Sequence, residues 1–84
     1  MMDEGANEAE TVTELAEHVL PFGRRVRLLD VDYHNGLSML RMIWREGKRI
    51  TMVEIDPESA AALGADITNW AQEKPAPDEN GKQG

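Results

Sequence analysis

The sequence predicts an α+β fold: a three-stranded antiparallel meander packed against one C-terminal helix, with disordered acidic termini. Two tight-turn signals, Asn35-Gly36 and Gly47-Lys48, divide residues 24–56 into three runs rich in strand-forming residues. Asp56-Pro57 then opens an alanine-rich run, and this pair is typical of a helix start.

One small domain is expected over residues 11–74. Residues 1–10 are dominated by acidic and small side chains, and residues 75–84 begin at a proline and are mostly polar. Such segments cannot bury enough apolar surface to offset the entropy of ordering them. We therefore predict disordered tails at 1–10 and 75–84, which leave about 60 residues to build a core.

The segment 11–20 fits two structures. Val12, Leu15 and Val19 recur at helical spacing. Residues 18–20 fit a short edge strand equally well, so both alternatives stay open.

Strands are predicted at about 24–33, 37–45 and 49–55. A two-residue turn at Asn35-Gly36 would place Val31 opposite Leu40 and Asp30 opposite Arg41. The second turn would place Arg41 opposite Glu54. One face then collects the large apolar side chains Leu29, Val31, Tyr33, Leu40, Met42, Trp44, Val53 and Ile55.

The helix after Pro57 is expected to lay an apolar stripe on that face. The stripe consists of Ala60, Leu63, Ile67, Trp70 and Ala71. Gly64 lies within it and costs about 1 kcal/mol relative to alanine. If the stripe is core, Trp70→Ala should cost about 3 to 5 kcal/mol.

The formal net charge of −7 conceals a segregation of charge. Residues 1–17 carry six acids and no base, residues 18–50 carry seven bases and three acids, and residues 51–84 carry seven acids and two bases. At one end of the sheet we expect a basic cluster, a candidate binding surface made of Arg24, Arg25, Arg27, Arg45, Lys48 and Arg49.

The second sheet face is also expected to be apolar. It would carry an aliphatic patch, a candidate interface made of Val26, Leu28, Ile43, Ile50 and Met52. Its cover could be the segment 11–22, a second copy of the chain or a different protein.

The sequence offers little chemistry. It has no cysteine, which removes disulfides and thiolate metal sites. Asp30, Asp32 and His34 alternate on one strand as conceivable metal ligands, but cross-strand charge pairing explains the carboxylates better. Neither histidine has a nucleophile beside it in the sequence, and no phosphate-binding glycine loop is present. We predict no enzyme activity, no cofactor and no metal site.

Two stretches carry a family resemblance: LPFGRRVRLLDV at 20–31 and EGKRITMVEIDP at 46–57. They resemble a family of short, uncharacterised bacterial proteins, and the likeness covers most of residues 19–72. It implies no activity. The order of strands then helix is also similar to the single-strand-binding domain of transcriptional coactivators, a likeness of topology alone.

The resulting hypothesis is a non-enzymatic protein-interaction module, an accessory or regulatory subunit in bacteria. The alternative is a dimer that binds single-stranded nucleic acid through its basic sheet end, and a small metal-dependent enzyme ranks third. No apolar run approaches the roughly 18 residues that span a bilayer, so we expect a cytoplasmic protein that does not bind membranes.

Overall fold

The computed structural model describes residues 10–75. Its elements follow the chain as β1 (Thr11–Leu20), a 3-10 turn (Pro21–Gly23), β2 (Arg24–Asp32), β3 (Ser38–Glu46), β4 (Arg49–Ile55) and α1 (Pro57–Glu73). The four strands form one antiparallel sheet in the order β1-β2-β3-β4. The α+β class is confirmed, and the sheet has four strands where the sequence predicted three. The predicted tails lie outside the described residues, apart from Glu10 and Pro75.

The extra strand is β1, which settles the ambiguity over the segment 11–20. It pairs along the whole length of β2, from Thr11 opposite Asp32 to Leu20 opposite Arg24. The register shifts between Glu14 and Ala16, which marks a β-bulge at Leu15. The additional residue interrupts the alternation of side chains between the two faces of β1. Val12, Leu15 and Val19 are therefore spaced three and four residues apart, as they would be in a helix.

The register between β2 and β3 differs by one residue from the prediction. Val31 lies opposite Met39 and Asp30 opposite Leu40, so the loop between the strands is longer than two residues. His34 adopts φ +64°, and its N–H donates to Asp32 Oδ1 at 2.8 Å, which widens the turn. A one-residue slip sends every β2 side chain to the other face of the sheet. The β3-β4 register is confirmed, with Arg41 opposite Glu54.

The helix begins as the sequence predicts. Asp56 caps it by accepting a hydrogen bond from the Ser59 N–H at 3.1 Å, and Pro57 takes the first helical position. Hydrogen bonds from the Ser59 hydroxyl and then from its backbone N–H hold the pKa of Asp56 below its ordinary value.

The core is small. Among the described residues, the buried apolar side chains are Val26, Leu29 and Val31, all on β2. Every residue of α1 except the half-buried Ala60 is exposed. The helix therefore rests on the sheet through few contacts and leaves most of its surface to solvent.

Candidate interaction surfaces

A groove runs between α1 and one face of the sheet. It has a volume of about 180 Å³, and we call it the helix-sheet groove; it is lined by Leu28, Leu40, Met42, Ile55, Ala60, Leu63, Gly64 and Ile67. Seven of these residues have apolar side chains, and the eighth is glycine. A concave surface of this composition binds apolar groups.

An apolar ridge stands on α1 beside the groove. It consists of Leu63, Ile67 and Trp70, whose exposed fractions are 45%, 56% and 61%. The predicted stripe is therefore on one side of the helix, but only Ala60, Leu63 and Ile67 reach the groove, and Trp70 lies one turn beyond it. The Lys74 ammonium lies 5.6 Å from the Trp70 ring centroid.

The opposite face of the sheet holds a second concavity, the arginine cleft, with a volume of about 140 Å³. Its lining residues are Glu17, Arg25, Arg27, Ile43, Arg45 and Ile50. Arg25 and Arg45 lie directly opposite each other on β2 and β3, and like charges in that position repel. Glu17 offsets this repulsion because it pairs with Arg25 at 3.5 Å, and Glu14 pairs with the neighbouring Arg27 at 2.8 Å.

The structure divides the predicted basic cluster between the two faces. Arg25, Arg27 and Arg45 line the arginine cleft. Arg24 alternates to the other face, where it pairs with Glu46 at 2.9 Å. The remaining members, Lys48 and Arg49, lie at the β3-β4 turn and the start of β4, and both are exposed.

The predicted aliphatic patch is divided in the same way. Val26 and Leu28 lie on the helix-facing side, because they pair with Trp44 and Met42. The other members, Ile43, Ile50 and Met52, lie on the face of the arginine cleft. The one-residue difference in register accounts for this division.

Tyr33, Arg41 and Glu54 form a polar network on the cleft face. The Tyr33 hydroxyl donates to Glu54 Oε1 at 2.7 Å, and Arg41 Nε donates to Glu54 Oε2 at 2.7 Å. The hydrogen bonds from Tyr33 and then Arg41 hold the pKa of Glu54 below its ordinary value. The contact with Glu54 in turn raises the pKa values of Tyr33 and Arg41. The network links the residue after β2 to β3 and β4.

Two of the residues considered as metal ligands, Asp32 and His34, have hydrogen-bond partners within the chain. Asp32 accepts a hydrogen bond from the His34 N–H, and His34 Nε2 lies 2.8 Å from the Thr11 hydroxyl. Asp30 pairs with Leu40, whereas the sequence predicted Arg41. Within residues 10–75, no group of three histidine or acidic side chains is arranged to hold a metal ion.

Residues 9–73 match a family of unknown function, DUF6967. The chain belongs to this family. The match runs from just before β1 to the end of α1, and it confirms the resemblance of the sequence to an uncharacterised family. No curated protein and no solved structure matches the chain.

Sequence reasoning missed the groove of this DUF6967 member because it placed Leu28 on the wrong face. The signals available were Asp32 and Asn35, whose side chains accept backbone N–H groups in the loop, at 2.8 Å and 3.0 Å. Such residues favour turns that differ from a two-residue hairpin. No helix of the described part is long and apolar enough to cross a membrane.

Proposed function

We propose that the chain is a non-enzymatic protein-interaction module, an accessory or regulatory subunit in the bacterial cytoplasm. The observation that carries the proposal is the apolar ridge of Leu63, Ile67 and Trp70, which stands exposed beside an apolar groove. Contiguous exposed apolar surface of this kind marks a contact with another molecule.

The small core supports the same proposal. Only three described apolar side chains are buried, while eleven large ones are exposed by 42% or more. A domain of this size is marginally stable even when it is well packed. A partner that covers the groove and the ridge would supply the burial that the isolated chain lacks.

The chemistry of the two concavities also favours binding over catalysis. The helix-sheet groove has no ionisable side chain in its lining, and the arginine cleft has three guanidinium groups and one carboxylate. Neither brings a nucleophile together with a base, which is the arrangement that covalent catalysis requires.

A second candidate function is binding of single-stranded nucleic acid. The observation in its favour is Phe22, which is 88% exposed near the arginines of β2, with the Arg24 guanidinium 5.7 Å from its ring centroid. Exposed aromatic rings beside cationic groups stack bases. Against it, Arg24, Arg25 and Arg27 each pair with a glutamate of the same chain.

Affinity capture from the native host, with and without nuclease, separates the two candidates. The wild-type chain should retain a protein partner after nuclease treatment, and Ile67→Glu should lose it because a charge would enter an apolar contact. Met52→Glu serves as the control, because Met52 is 58% exposed on the opposite face. Equal capture by both variants would contradict a role for the groove, and loss of all partners on nuclease treatment would favour nucleic acid.

A further inference from the structure

Gly64 is unexplained within a single chain. It lies inside α1 without a positive φ, and a Cβ built on it meets nothing within 4 Å. Neither an unusual backbone angle nor close approach to a strand therefore requires glycine there. Glycine inside a helix is destabilising relative to alanine. A contact with another molecule would account for glycine at this position.

The groove beside Gly64 has the capacity for one aromatic ring. Its volume is about 180 Å³, and a cavity of about 150 Å³ in another protein binds benzene. The chain carries a matching ring in Trp70, which is 61% exposed and outside its own groove. Tryptophan inserted into an apolar pocket is a frequent energetic centre of protein interfaces.

We propose that the partner of the groove is a second copy of this chain, and the proposal rests on the groove being the interaction surface argued above. The two α1 helices pack antiparallel about a two-fold axis at Ile67. Gly64 and Trp70 lie three residues before and after Ile67, so each Trp70 meets Gly64 of the second copy. The absent side chain makes room for the ring.

Self-association explains both halves of the surface, because the ridge of one copy fills the groove of the other and the reverse. A different protein seated in the groove would leave the Trp70 ridge uncovered unless it brought a second pocket. The contact stripe is also uncharged, since Leu63, Gly64, Ile67 and Trp70 are all apolar or glycine. Two chains of net charge −7 can therefore meet without placing like charges against each other at the centre of the contact.

A specific dimer needs contact from more of α1 than the ridge. A standard interface takes about 800 Å² from each partner, and the three side chains of the ridge cannot supply that area. The flanks of α1 can supply the remainder, because all of its residues from Pro57 to Glu73 except Ala60 are exposed. Since both copies are acidic, added salt should strengthen the dimer by screening their repulsion.

Sedimentation velocity across a concentration series tests the proposal on the full chain. The wild type should form a dimer whose dissociation constant falls as salt is raised. Gly64→Ala should weaken the dimer by about tenfold or more, because the methyl group occupies the space for Trp70. The same variant should raise the melting temperature of the dilute monomer, because alanine favours the helix. This pair of opposite effects excludes simple misfolding. Met52→Glu should leave the dimer unchanged.

Three results would overturn the proposal: a wild-type chain that stays monomeric at every concentration, a dimer indifferent to Gly64→Ala and Trp70→Ala, or a dimer lost in Met52→Glu. If the chain is monomeric and yet captures another protein in a way that Ile67→Glu abolishes, the second copy is the wrong partner and the interaction surface stands. If neither dimer nor groove-dependent capture is found, both proposals fail.

Discussion

Replacing Val31 should destabilise the domain more than replacing Trp70, although the tryptophan side chain is far larger. Val31 is completely buried, with 0% of its surface exposed. Val31→Ala removes two methyl groups at about 0.8 kcal/mol each and leaves a cavity, so we expect a loss of about 2–3 kcal/mol.

Trp70 is 61% exposed, and the Lys74 ammonium lies 5.6 Å from its ring centroid. An exposed cation-π contact contributes about 0.5–1 kcal/mol. Trp70→Ala should therefore cost about 1 kcal/mol or less in a dilute sample, where the chain is monomeric. The estimate of about 3 to 5 kcal/mol from the sequence assumed a buried ring.

Urea denaturation followed by far-UV circular dichroism measures both losses in free energy of unfolding. The samples must be dilute, because dimerisation would add stability that depends on Trp70. Val53→Ala is the matched control for Val31→Ala, since Val53 is 45% exposed and should lose less than Val31. If Trp70→Ala costs more than Val31→Ala under dilute conditions, the helix packs on the sheet as a core element and the account of an exposed ridge is wrong.

Three further predictions concern the network, a turn and the arginine cleft. Glu54 has a lowered pKa in the folded state, so its contribution is present above the unfolded value of about 4.3 and is lost as pH falls below it. Glu54→Gln should therefore flatten the pH dependence of the melting temperature in that acidic range, and an unchanged profile would contradict the network. Gly36 adopts φ +86°, so Gly36→Ala should lower the free energy of unfolding by about 1–2 kcal/mol, whereas Gly64→Ala should raise it in the monomer. Unchanged stability of Gly36→Ala would contradict the positive φ of this loop. Fluorescence anisotropy should show at most weak binding of single-stranded oligonucleotides at physiological salt, because glutamates pair with Arg25 and Arg27. Tight binding with a log–log salt slope of about −0.7 per phosphate, lost in an Arg25→Glu, Arg45→Glu variant, would favour nucleic acid instead.

Local signals in the sequence are sufficient to predict the structure wherever one or two residues determine the backbone conformation. Asp56 and Pro57 located the helix start, and the turn around Gly47 fixed the β3-β4 register. Gly47 adopts φ +62°, which glycine tolerates without strain. These features depend on few atoms, so they can be read without knowledge of the fold.

The β2-β3 loop shows where such reading fails. The pair Asn35-Gly36 predicts a two-residue hairpin, but the Asp32 and Asn35 side chains bind loop N–H groups and stabilise a longer turn. Each face of β2 carries two apolar residues, Val26 and Leu28 on one and Leu29 and Val31 on the other, so hydrophobic pattern could not correct the error. One residue of slip then divided the predicted aliphatic patch between opposite faces of the sheet, and it brought Arg25 and Arg45 opposite each other on one face.

The candidate site depended on packing that the sequence does not encode locally. The sequence predicts that the stripe of α1 packs on the sheet as far as Trp70, whereas Leu63, Ile67 and Trp70 are exposed by 45%, 56% and 61% and Trp70 does not reach the groove. That outcome depends on how closely the helix approaches the sheet, and the approach is limited to the half-buried Ala60 and the groove-lining residues Leu63 and Ile67. The function of Gly64 became a question only when the space around it was known.

The most direct test of association through α1 is a disulfide across the proposed two-fold axis. The chain has no cysteine, so Ile67→Cys introduces a single thiol. Helices packed about 8–10 Å apart, with Cα atoms at a radius of about 2.3 Å, bring two facing Cα atoms within about 3.4–5.4 Å. This range overlaps the roughly 4.4–6.8 Å that a disulfide spans.

Mild oxidation of Ile67→Cys, followed by non-reducing electrophoresis, should therefore give a covalent dimer of the 9.4 kDa chain. Asn69→Cys, about half a turn away around the helix, should stay monomeric under the same conditions. Dimer in Ile67→Cys alone is the predicted result. Monomer in both variants, or equal cross-linking of both, would contradict association through this face of α1.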